Sequence, residues 1–418
     1  MARVHYAWVV ASVAFGTLVA AAAFRAAPGV LMVSLHDELG WSIVTMSAAV
    51  GVNLVLYGLM APFAAALMER FGLRRVTSAA LLLIAAGAGL SVFTQAAWQL
   101  VFTWGVLIGL GTGSMALVFA ATVANAWFVK RRGLVIGILT AGGAAGQLVF
   151  LPLVAFVAEA TSWKVASLLI AAAAVAVLPL VAVLLRDRPA DLGLPPYGGN
   201  DLVPATPRTD HNIAGLALEA LRQAARMKAF WALAGAFAIC GATTNGLVRT
   251  HFVPGAHDHG MPITVAASLL AVIGVVDVIG TIGSGWLTDR YSPRVLLGVY
   301  YTLRGVALLF LPSLMAPSVE LPMVFFIVFY GLDWVATVPP TLALCREFYG
   351  EDAPIVFGWV LASHQIGAGV VAYAGGLARD LTGSYDAVWY GAGVLCAGAA
   401  LMSLVIRKRR ATRDVSDL

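Results

Sequence analysis

The chain has 418 residues, 61% of them hydrophobic and 11% charged, with a mean hydropathy of +0.89, whereas ordinary soluble domains carry about 25% charged residues. This composition excludes a water-soluble enzyme and describes a chain dissolved in lipid. The formal net charge of +5 is small for the length and suggests no nucleic-acid partner.

The first apolar run extends from about Tyr6 to Val33. Small residues at Ala20 to Ala23 imitate a leader cleavage site, but apolar sequence continues through Pro28-Gly29-Val30-Leu31-Met32-Val33. At about 1.5 Å per residue the run crosses about 30 Å of hydrocarbon with tilt, so it reads as a membrane span. Eleven more runs of spanning length follow, near 43–67, 76–94, 98–123, 133–157, 163–185, 229–253, 263–288, 294–315, 320–345, 353–377 and 385–406. They lack the two-residue alternation of a barrel, so an all-α membrane protein of twelve helices is expected. Cys240, Cys345 and Cys396 lie inside these runs and read as small buried residues.

With the N-terminus cytoplasmic, about 21 of the 26 Lys and Arg residues fall inside, Lys164 and Arg379 fall outside, and Arg25, Arg249 and Arg304 lie within spans. Both termini are therefore expected in the cytoplasm, with the protein multi-pass in the inner or plasma membrane. The longest break, opening with the Pro- and Gly-rich RDRPADLGLPPYGG, divides the chain into a six-helix half at 1–185, a linker at 186–228 and a second half at 229–418. From Ile213 to Lys228 the linker reads as an amphipathic helix, with Ile213, Leu216, Ala220 and Leu221 on one side, or as a flexible segment with incidental periodicity.

Two loops repeat. Ala65-Ala66-Leu67-Met68-Glu69-Arg70-Phe71-Gly72, ending at Arg75, follows span two; Gly285-Trp286-Leu287-Thr288-Asp289-Arg290-Tyr291-Ser292-Pro293-Arg294 follows span eight. Both resemble the G-x-L-x-D-R-x-G-R-R signature of the major facilitator superfamily, with Ala65, Glu69 and Ser292 as departures. The resemblance implies two pseudo-symmetric six-helix halves. Glu69, Arg70, Asp289 and Arg290 are then expected to act as a gating latch at helix ends, or only to hold the loops inside.

Trp127-Phe128-Val129-Lys130-Arg131-Arg132-Gly133-Leu134-Val135-Ile136-Gly137 resembles a motif of the monocarboxylate transporter family and its bacterial relatives, the oxalate/formate antiporters. Gly137, Gly142, Gly143 and Gly146 then give span five a small-residue face, suited to a moving helix or to tight static packing. The resemblance implies an anion-binding cation near the outer half of span one, where Arg25 stands, and a proton-binding aspartate in span eight, where Asp277 stands. The family's arginine one turn later is replaced by Thr281, so Asp277 needs a partner elsewhere. Arg304 reads as the partner of Asp333 or of Asp277. These three form the expected proton-coupling group, since a charge in a span is costly unless paired or solvated.

His364, in a span that lines the family's cavity, reads as a titratable substrate contact or as a satisfied core histidine. Asn53 and Tyr57 share one face of span two, and Asn245 and Arg249 share one of span seven. Both pairs suit a small polar ligand or hydrogen bonding between helices. Gln147 and Gln365 read as packing residues. No phosphate-binding loop is present, His257-Asp258-His259 has no cysteine or third histidine nearby, and neither cofactor nor metal is expected. The expected protein is not an enzyme. It is a monomeric secondary transporter moving a small carboxylate, with a monocarboxylate preferred, together with a proton across the bilayer by alternating access. The alternatives are an exporter of amphipathic drugs or metabolites and a receptor that binds without transporting.

Overall fold

The computed structural model describes residues 5–115, 117–199, 201 and 213–406. Among them, ten helical stretches are long and apolar enough to cross a membrane. One of these, Leu321–Thr382, makes two passes, and a broken helix, Ala97–Gly113 followed by Leu117–Trp127, supplies the twelfth. In chain order they are α1 (Tyr6–Leu39), α2 (Ile43–Phe71), α3 (Leu73–Ser91), α4 (97–127), α5 (Arg132–Ala160), α6 (Trp163–Leu184), α7 (Lys228–Asp258), α8 (Ile263–Thr288), α9 (Pro293–Leu314), α10 (321–349), α11 (Ala353–Thr382) and α12 (Asp386–Val405). Twelve passes return the chain to the face where it began, called here the near face; the loops after α1, α3, α5, α7, α9 and α11 form the far face.

Polar residues set the ends of these apolar helices. Ser42 caps α2 by accepting the Thr45 N–H, and Ser162 caps α6 through the Val165 N–H. Gly383 closes α11 at φ 77°, a conformation that favours glycine. Several helices run beyond the apolar core recognised in the sequence, because hydrogen bonding continues where hydropathy has fallen: α7 reaches Asp258 and α11 reaches Thr382.

The helices form two six-helix halves, α1–α6 and α7–α12. Where α2 crosses α11, a Cβ on Gly51 would lie 2.9 Å from the Gly369 carbonyl oxygen, and one on Gly369 would lie 2.7 Å from that of Gly51, so neither position has room for a side chain. The same two helices still touch nearer the other face, where the Phe63 and Trp359 rings are 6.0 Å apart. Of the small residues in α5, Gly142 packs on Phe15 and Leu18, and Gly146 on Val19 and Ala22. These two glycines let α1 approach α5 closely within one half, whereas a Cβ on Gly137 or Gly143 would meet nothing within 4 Å.

The described residues of the linker pack on the bundle. Tyr197 donates its backbone N–H to the Trp127 carbonyl and accepts from Val129 and Lys130, while its ring packs against Trp8 and Phe128. The basic motif at the start of α5 is thereby pinned to the chain leaving α6. A helix over Ile213–Ala224 buries Ala217, Ala220 and Ala224 and accepts the Trp359 indole N–H at the Ala217 carbonyl, 2.8 Å away. Leu216, expected on its apolar side, is 57% exposed; the helix docks through its alanines, which allow a close approach to α2 and α11.

Candidate functional site

A pocket lies between the halves, lined by Arg25, Asn53, Tyr57, Asn245, Arg249 and Gln365, with Phe24, Pro28, Val50, Leu54 and Thr250 completing its wall. Arg25 reaches it because α1 is interrupted at Ala27, before Pro28. The cation therefore sits in the last turn of a helical segment, where the helix dipole favours positive charge. Its guanidinium carbon lies 4.8 Å from the centre of the Tyr57 ring. Arg249 arrives from the other half, just after a π-helical stretch, Ala242–Val248. The wide turn is stabilised by the Thr250 hydroxyl, which donates to the Asn245 carbonyl at 2.9 Å. Arg249 lies 5.5 Å from the Trp334 ring, and its buried Nε has no hydrogen-bond partner.

The amides have definite neighbours. Asn53 donates to the carbonyl of Trp104, inside a second π-helical stretch, Val101–Leu107 in α4, and Asn245 donates to Gln365 Oε1 at 3.5 Å. Gln365, read in the sequence as a packing residue, thus belongs to the pocket. Its partner on α7 could not be seen from spacing along the chain. Gln147 reaches from α5 to the Leu270 carbonyl of α8, 3.2 Å away.

Asp277 is not among the residues lining the pocket. Its Oδ1 accepts the Thr281 hydroxyl at 3.1 Å and the Val335 N–H at 3.0 Å. Thr281, standing where the resemblance places an arginine, is thus one of its two donors. Arg304 pairs with Asp333 instead: Nε is 2.5 Å from Oδ2, Nη2 donates to the Asp333 and Trp334 carbonyls, and Nη1 lies 2.9 Å from Cys240 Sγ. Of the two carboxylates, Arg304 bonds Asp333, and among the described residues no ion pair joins it to Asp277. Arg304 is fully buried and away from the pocket lining. Its guanidinium satisfies a carboxylate and two carbonyls at once, as a buried cation requires.

His364 is also outside the lining; its ring packs 4.8 Å from that of Phe237, and its Nδ1 has no partner. Glu69, Arg70, Asp289 and Arg290 are exposed at the near face, and among the described residues none of the four makes an ion pair. Arg290 instead lies 4.0 Å from the Trp286 ring and bonds its carbonyl. The partnered charge in these repeated loops is Arg294, which reaches Glu347 and the Ile406 carbonyl, while the backbone N–H of Arg74 donates to Asp187 from the segment after α6.

The model of the Major Facilitator Superfamily matches residues 13–352 and 252–417, and the chain belongs to that family. It is similar to monocarboxylate transporter 13 of Bos taurus, 28% identical over 86% of this chain and 79% of the relative, and to monocarboxylate transporter 11 of Mus musculus, 28% identical over 90% and 78%. The uncharacterized MFS-type transporter YcxA of Bacillus subtilis is 24% identical over 90% of both chains. A D-xylose-proton symporter shares the fold with a TM-score of 0.71 at 14% identity, covering 96% of this chain and 97% of its own. A bacterial homolog to the human lysosomal transporter Spinster, inward-facing and unoccupied, gives 0.68 at 17%, covering 96% and 93%. The chain is a multi-pass membrane transporter related to monocarboxylate transporters, and it is not an enzyme.

Proposed function

We propose that the protein carries a small monocarboxylate together with a proton by alternating access, as a monomer in the inner or plasma membrane with both termini cytoplasmic. The observation that carries this reading is the meeting of Arg25 and Arg249, one from each half, in a pocket that has no acidic residue in its lining. Two guanidiniums beside apolar and amide groups suit a carboxylate, and the relatives' names supply the monocarboxylate. Asp277, outside the pocket and free of an arginine pair, is the proton's seat. With the anion on the arginines and a proton on Asp277, the site carries the same charge as when it is empty with Asp277 ionised. Neither state then moves extra charge through the membrane.

Uptake of labelled monocarboxylates such as pyruvate into proteoliposomes tests the reading. Accumulation is expected under an imposed pH gradient, with little response to membrane potential. Specific binding without uptake would instead indicate a receptor, and broad efflux of amphipathic compounds indifferent to Arg25 would indicate an exporter.

A further inference from the structure

Helix α10 is broken between Leu321–Asp333 and Val338–Tyr349. The sequence explains the break: Pro339 and Pro340 have no N–H to offer the carbonyls of Val335 and Ala336. Side chains of the neighbouring helices fill the gap. Ser284 of α8 donates to the Ala336 carbonyl, Arg304 of α9 donates to those of Asp333 and Trp334, and Asp277 of α8 accepts the Val335 N–H. Interrupted helices at mid-membrane are where transporters of this architecture place ligands. Here, however, the break lies behind the pocket, and one residue on it connects the two. Trp334 is buried, with its ring edge-on to Tyr330 at 5.7 Å and the Arg249 guanidinium 5.5 Å from its centre.

We infer that Trp334 is a positioning residue that ties the placement of Arg249 to the protonation of Asp277, and so makes anion affinity depend on pH. The inference rests on the carrier reading above. An ionised Asp277 holds the Val335 N–H by a charge-assisted bond; a protonated one holds it more weakly, because the acceptor has lost its charge. Val335 is the next residue after Trp334, so loosening it frees the indole to shift, and Arg249 shifts with it. The charged groups near Asp277 are Arg304 from α9, Arg249 from α7 and, beside the break, Asp333 of α10; α5 meets α8 at Leu270 and Gly274, with the uncharged Gln147. Of the two carboxylates at the break, Asp333 is engaged by Arg304, which leaves Asp277 to switch the turn.

Fluorine NMR of the full-length protein labelled with 5-fluorotryptophan reads the coupling without any ligand. The Trp334 resonance is assigned by its loss in Trp334→Phe. It is expected to move with pH in the parent, to stand still in Asp277→Asn, and to be displaced at every pH in Arg249→Gln. Kinetics give a second readout with pyruvate as the probe: Trp334→Leu should raise KM by about tenfold and flatten its pH dependence with little change in kcat, and Trp334→Phe should restore much of both. A Trp334 resonance that ignores pH, or that still titrates in Asp277→Asn, overturns the inference even where the parent accumulates pyruvate on a pH gradient. Loss of that accumulation in the parent, with the resonance still titrating, overturns the carrier reading instead.

Discussion

Asp380, near the end of α11, and Val44, in the first turn of α2, join the two halves across the far face. The carboxylate accepts the Val44 N–H at 2.8 Å and the Ile43 N–H at 3.2 Å. Glu159, near the end of α5, does the same at the start of α8, accepting the N–H and hydroxyl of Thr264. Since α5 and α11 are equivalent in the two halves, as are α2 and α8, this is one device used twice: a carboxylate from one half caps the exposed N–H groups of a helix in the other.

Removing these caps should favour opening of the far face. In a double variant, Glu159→Gln with Asp380→Asn, the neutral amides keep an acceptor but lose the charge that the helix N-termini attract. Distances between spin labels in the far-face loops at 92–96 and 316–320 are expected to spread to longer values than in the parent. An unchanged distribution would show that the caps do not hold this face closed.

The near face makes the opposite prediction. Glu69, Arg70, Asp289 and Arg290 are exposed there and, among the described residues, make no ion pair, which suits a latch that engages only when that face closes. Asp289→Asn should therefore slow turnover and favour states open to the near face, while leaving substrate binding in place. Labels across the near face reporting identical distances in Asp289→Asn and the parent would leave these residues with a topological role only.

Stability separates the two aspartates, the part-buried Asp277 of α8 and the buried Asp333 of α10. Asp333→Asn leaves the guanidinium of Arg304, fully buried and bonded to Asp333 Oδ2, without its counter-charge. The cost of breaking such a pair is about 3–5 kcal/mol, so a clear drop in melting temperature in detergent is expected. Replacing Asp333 and Arg304 together by apolar residues should recover part of the loss. A melting temperature unchanged in Asp333→Asn would remove the pair from the account of what holds α9 to α10.

Arg25→Lys keeps a positive charge but loses the planar two-point fork, so affinity for the anion should fall while membrane insertion and folding survive. Arg25→Ala should lower it further. Equal affinity in the parent and Arg25→Ala, measured by ligand-dependent thermal shift, would exclude Arg25 from the site.

The contrast between what could and could not be read from the chain has a physical origin. Twelve spans, two halves and the polar residues within them were legible, because the cost of burying charge in lipid makes each exception visible along the sequence. Arg25, Asn53, Tyr57, Asn245 and Arg249 were all singled out, and the fold brings them into one pocket. Partners were not legible. Whether Arg304 meets Asp277 or Asp333 depends on how α8, α9 and α10 rotate against one another, which no spacing within a single helix encodes. Trp334 stood in plain view beside Asp333 but carried no signal, since a tryptophan in a membrane helix is ordinary; only the break created by Pro339 and Pro340 hinted that its surroundings were special.

Asp277 carries the most decisive prediction. Its carboxylate accepts from Thr281 and from the Val335 N–H, while Arg304 is engaged by Asp333. An asparagine there can present its amide oxygen to the same two donors, so Asp277→Asn should fold, melt near the parent temperature and leave Arg304 paired. What it cannot do is take up and release a proton. In proteoliposomes the variant is therefore expected to exchange labelled for unlabelled substrate at a rate comparable to the parent, because exchange needs only a loaded site that faces each side in turn. Accumulation against a gradient is a different demand: it requires the proton to move with the anion, and a site that is neutral at this position in both directions cannot draw on a pH difference. Exchange retained with pH-driven accumulation abolished assigns the proton to Asp277. A well-folded Asp277→Asn protein that still accumulates substrate on a pH gradient places the proton elsewhere.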